Sequence, residues 1–129
     1  MPPVRKELQM EHNTIPTGNI TIVECIPESG MVTDENSALE LVAICGEEGS
    51  DRLLIHQANL HSDFFDLKTG LAGKVLLKLS NYYIHTAAVI QTEMIVSRRF
   101  QEFVLETNQR NDFKVFSNRE DALTWLESL

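Results

Sequence analysis

His56, His61, Asp63 and Asp66 are the densest group of side chains in this sequence that could move a proton or hold a metal. Imidazoles and carboxylates are the usual acid–base and ligand groups, and these four lie where an apolar run, Leu53-Leu54-Ile55, gives way to a helix-like stripe. Carboxyl ends of strands and the helix N-termini that follow them are where α/β proteins place most of their sites. The spacing matches no defined ligand pattern, so two readings stand: a ligand crevice, or a strand-end histidine followed by a solvated acidic helix start. No metal and no cofactor is expected. Cys25 and Cys45 have no neighbouring His, and there is no Gly-x-Ser-x-Gly elbow, which leaves nucleophilic catalysis without a candidate.

A second chemistry is open to Thr69. A hydroxyl at a helix start can cap the helix, worth about 1 kcal/mol. It can also accept a phosphoryl group, which adds about −1.5 to −2 charges beside the positive helix end. Lys68 would favour the added charge, and Asp63 and Asp66 would oppose it. The neighbours Phe64 and Phe65 cannot both face one side of a helix, so either one packs inward and the other is left for a contact, or the two are buried locally as a pair. Phe64, Phe65, Asp66, Lys68, Thr69 and Gly70 are therefore the candidate interaction surface. Arg98, Arg99 and Arg110 read as an anion-binding edge or as a solvated helix face.

The elements that must position these residues follow from periodicity and turn chemistry. Residues 1–18 are mixed in charge, carry Pro2, Pro3 and Pro16, and read as a flexible arm. Ile20 to Ile26 is β-branched and apolar, and Pro27-Glu28-Ser29-Gly30 is a turn before Met31-Val32, which predicts an edge hairpin. Asp34 to Glu48 repeats apolar residues at helical spacing, and Leu53-Leu54-Ile55 reads as a central strand covered on both faces. Asn59 or Ser62 can cap the next segment, which is either a turn at Ser62 to Asp66 and then a helix from Thr69 to Asn81, or one continuous helix. A strand over 83–90, a helix with Val96, Phe100, Phe103, Val104 and Thr107 inward, a short strand over 113–116 and a helix capped by Ser117 or Asn118 complete the chain. This order predicts one α/β domain over 19–129, with a mostly parallel sheet of about five strands, a hairpin at its N-terminal edge and helices packed on it.

At 129 residues the chain can bury a working core in one domain. Its net charge of −8, from 19 acidic and 11 basic residues, opposes binding to nucleic acid. No apolar run is long enough to span a membrane, and the N-terminal residues lack the apolar core of a leader peptide. Two cysteines inside apolar runs fit buried thiols in a reducing cytoplasm.

Leu53-Leu54-Ile55, then Phe65-Asp66-Leu67-Lys68-Thr69-Gly70-Leu71-Ala72-Gly73 and Leu76-Leu77, resembles a bacterial family defined as a domain of unknown function, DUF4180, over about 19–129. That resemblance implies no established activity. The order of elements is also similar to STAS domains, the anti-sigma-factor antagonist class, in which a strand leads to an Asp-Ser-Ser/Thr-Gly-Leu motif at a helix start. Thr69-Gly70-Leu71 matches the end of that motif, and Asp66 its Asp, with one extra residue between. The resemblance implies a non-enzymatic regulatory module that binds a protein partner, switched by phosphorylation at Thr69; a plain homodimeric scaffold is a separate reading. The alternative is a small-molecule-binding protein or enzyme that uses the crevice near His56, His61, Asp63 and Asp66.

Overall fold

The computed structural model describes residues 10–129. The strands are β1 (His12–Thr17), β2 (Ile20–Cys25), β3 (Arg52–His56), β4 (His85–Val89) and β5 (Phe113–Phe116). The helices are α1 (Glu35–Glu47), α2 (Leu71–Asn81), α3 (Arg98–Thr107) and α4 (Arg119–Ser128). They form one α/β domain whose five-stranded sheet runs β1-β2-β3-β4-β5, antiparallel between β1 and β2 and parallel elsewhere.

Sequential parallel strands need crossovers of one hand, and right-handed crossovers wound in one direction leave their helices on one face. The two cores follow that logic. Val23, Cys25, Leu53, Ile55, Ala88, Phe113 and Val115 meet Leu41 and Cys45 of α1, Val75 and Leu79 of α2, and Phe100 of α3. Ile22, Leu54, Ala87 and Val89, the alternate residues of the same strands, meet Ala122 and Leu126 of α4. β3 is the central strand, and Leu53, Leu54 and Ile55 are fully buried, as a continuous apolar run in a two-sided sheet requires.

Polar side chains cap three of the helices, at Asp34 and Asn118 where the sequence marks a helix start and also at Ser97. The Asp34 carboxylate accepts from the Ser37 amide at 2.8 Å, the Ser97 hydroxyl from the Phe100 amide at 3.0 Å, and the Asn118 side chain from the Asp121 amide at 2.8 Å. Both cysteines are free and buried, and burial pushes each thiol up to about 12.

The N-terminal hairpin exists, with a different first strand from the one the sequence suggests. Residues 1–9 of the expected arm lie outside the described residues, but His12–Thr17 forms β1 and pairs along its length with β2. The turn between them is Gly18-Asn19, with Gly18 at φ +62, a backbone that glycine adopts at low cost in a two-residue hairpin. Val32, expected as the second strand, makes only an isolated parallel bridge to Leu60.

Candidate functional site

The connection from β3 to α2 is a chain of three short 3-10 turns, Gln57–Asn59, Ser62–Phe65 and Leu67–Thr69, rather than an extension of the helix. Two buried residues pin it. Asn59 donates from Nδ2 to the carbonyls of Ile26 and Gly30, at 3.0 and 3.2 Å, and accepts from the His56 amide at 3.0 Å. It ties this connector to the loop after β2 and closes a capping box on the first 3-10 turn, rather than capping α2. Phe64 is fully buried, with ring centroids 5.8 to 6.5 Å from those of Phe65, Phe100, Phe103 and Phe113. Its burial removes Phe64 from the expected interaction surface, because the 3-10 turn aims this ring at the core and leaves Phe65 half-buried above it.

With the connector held from beneath, Asp63, Asp66, Lys68 and Thr69 are left exposed. The Asp66 carboxylate accepts from the Lys68 amide at 3.1 Å, and His61 Nδ1 accepts from the Asp63 amide at 3.0 Å. The Thr69 hydroxyl lies 2.7 Å from the Asp63 carbonyl and 2.9 Å from that of Asp66, to which it donates, and it accepts from the Leu71 amide at 3.2 Å. Gly70 occupies the N-cap position at φ +79, with no side chain to cap α2. Thr69 thus satisfies a first-turn amide of α2 from one residue before the cap. The Asp66 carboxylate does not orient the hydroxyl; that contact is made by its backbone carbonyl.

His56 is not part of this corner. Alternation along β3 turns its ring to the α4 face, whereas Phe64 belongs to the core on the opposite face. There His56 Nε2 meets Glu24 Oε2 at 2.7 Å, and Arg119 grips both carboxylate oxygens, Nε on Oε2 at 2.8 Å and Nη2 on Oε1 at 2.7 Å. His61 and Asp63 stay together in the connector, Nδ1 to Oδ2 at 3.6 Å. The four residues read as one crevice are therefore divided between two faces. Among the described residues, no three His, Cys, Asp or Glu side chains gather as a metal-ligand set.

The Glu24–His56–Arg119 group was missed in the sequence because a single carboxylate in Ile22-Val23-Glu24-Cys25 resembles a solvated outward position. Burial pushes the Glu24 carboxyl up, but hydrogen bonds and charge from Arg119 and His56 outweigh it and hold the group below its usual range. The same hydrogen bond raises Arg119. With both oxygens taken by the Arg fork, Glu24 works as a clamp that ties β2, β3 and the first turn of α4.

Arg98 pairs with Glu102 at 3.5 Å, both well exposed, in keeping with a solvated helix face. Arg110 lies apart from it and lines an open hollow of about 260 Å³ with Leu76, Leu77, Ser80 and Asp112, at the C-terminal end of α2. Thr69 is at the other end of that helix.

Fold and site together define a small α/β domain with exposed Asp63, Asp66, Lys68 and Thr69 on a pinned strand-to-helix corner. Residues 17–126 match the family model described as Domain of unknown function (DUF4180), and the chain belongs to that family. No curated protein matches the chain significantly. No described helix is long and apolar enough to cross a membrane.

Proposed function

We propose that this chain is a non-enzymatic, STAS-like regulatory module of bacterial type, which binds a protein partner through the exposed part of the β3–α2 corner and is switched at Thr69. The observation that carries the reading is the position of the Thr69 hydroxyl, exposed and bonded both to the connector and to the first amide of α2. A phosphoryl group there replaces the hydrogen donated to the carbonyls of Asp63 and Asp66, and adds about −1.5 to −2 charges beside Lys68 and the positive end of α2. The carboxylates of Asp63 and Asp66 repel that charge. The connector must then rearrange relative to its Phe64 anchor, which changes the surface made by Phe65, Asp66, Lys68, Thr69 and Gly70. The two buried thiols support a reducing cytoplasm as its compartment.

Capture from a lysate of the source cells, with wild-type, Thr69→Glu and Phe65→Ala chains as baits, tests this. A protein held by the wild type should fall about tenfold with Thr69→Glu, a loss of roughly 1.4 kcal/mol, and should also weaken with Phe65→Ala. Thermal melts of the three baits separate lost binding from lost folding. Identical captured sets from three folded baits contradict the proposal.

A further inference from the structure

The two edges of the sheet are finished in different ways. At β5, the carbonyls of Asp112 and Phe116 accept from the Thr86 and Ile90 amides toward β4, so the backbone of Phe113 and Val115 faces outward. Side chains of α3 and the residue after it close that side. Thr107 donates to the Phe113 carbonyl at 2.8 Å, and the Asn108 amide both accepts from Val115 N at 2.7 Å and donates to its carbonyl at 3.1 Å. Asn108 thereby stands in for the backbone of a neighbouring strand.

β1 has no such cover among the described residues. The Ile26 amide donates to the Glu11 carbonyl, and the pairs Asn13↔Glu24, Ile15↔Ile22 and Thr17↔Ile20 continue that phase, so His12, Thr14 and Pro16 aim their backbone groups away from β2. Pro16 loses no ladder bond there, because its missing donor lies on the outer side. The remaining outward groups are the amides of His12 and Thr14 and the carbonyls of all three. In a chain of net charge −8, the strand His12-Asn13-Thr14-Ile15-Pro16-Thr17 carries no carboxylate or ammonium group. It lacks the charged residues that commonly guard an exposed edge, and His12 turns its ring to Glu48 at 2.8 Å.

We infer that β1 is a self-association edge, and that its occupant is the β1 of a second copy. The two strands pair antiparallel about a two-fold axis near Thr14, joining two sheets into one. A charge-free strand is the one part of this edge where two copies of an acidic chain meet without bringing like charges together. Around Thr14 the two Thr14 residues exchange amide–carbonyl bonds, and each His12 amide meets the Pro16 carbonyl of the other copy. All four outward amides of the pair thus find carbonyls, and only the His12 carbonyl of each copy, opposite Pro16, has no amide to accept from.

Native mass spectrometry and light scattering at micromolar concentration read the result directly. The wild type should have twice the 14.6 kDa chain mass. Thr14→Pro removes a donor that plays no part in the β1–β2 ladder, so it should leave the far-ultraviolet dichroism unchanged and weaken the dimer at least about tenfold. Thr14→Lys, which places two ammonium groups at the axis, should do the same and serves if the proline variant does not fold. A monomeric wild type overturns the inference, as does a folded Thr14→Pro or Thr14→Lys chain that dimerises as tightly as the wild type.

Discussion

Phe64→Ala is expected to cost about 3–5 kcal/mol of stability, the range for removing a fully buried aromatic ring. Small domains are stable by only roughly 5–15 kcal/mol, so much of this chain's margin is at stake. Phe64 has no accessible surface and meets four other phenylalanine rings drawn from the connector, α3 and β5. Those neighbours sit on separate elements and cannot close over the cavity without moving the backbone. Urea denaturation followed by dichroism should show the midpoint falling with an unchanged slope, and Phe64→Leu should recover most of the loss. A cost below about 1 kcal/mol would mean that the connector is not anchored here, and the corner built on it would lose its support.

Glu24→Ala is expected to cost about 3 kcal/mol, the lower end of the range for breaking a buried ion pair. The low end applies because the Arg119 side chain is half exposed and can rehydrate, while His56 at 16 % cannot do so freely. The pH dependence has a fixed sign. Arg119 and His56 hold the folded Glu24 carboxyl below the ordinary value of 4.5, so its contribution is fully present above that value and is lost as pH falls through the lower folded value. Denaturation of wild type and Glu24→Gln should therefore show a gap that narrows as pH falls below about 4.5. A gap that widens as pH falls below about 4.5 would contradict the clamp.

Much of the fold was legible because one-dimensional signals were strong. The continuous Leu53-Leu54-Ile55 run marked the central strand, and Asp34 and Asn118 marked helix starts that side-chain hydrogen bonds then satisfy. β1 was not legible. His12-Asn13-Thr14-Ile15-Pro16-Thr17 has one aliphatic side chain besides its proline, and an edge strand half-covered on one face needs little more. The site was legible in part. Thr69 at the start of α2 was marked by Thr69-Gly70-Leu71, but the direction of Phe64 and Phe65 depends on a 3-10 turn whose period differs from that of the α-helical stripe. The clamp was invisible for a different reason: Glu24, His56 and Arg119 are joined by strand register and the return of α4, and local spacing records neither.

As the proposed switch, Thr69 should carry a phosphoryl group in the cell as well as starting a helix. Mass analysis of the chain purified from its own host, in growth and in stationary phase, with fragmentation to localise any modification, tests it most directly. A phosphoryl group on Thr69 is expected in at least one state, and none at that position in Thr69→Val purified in parallel. Thr69 unmodified in every state, or phosphate found only at other residues, would contradict it.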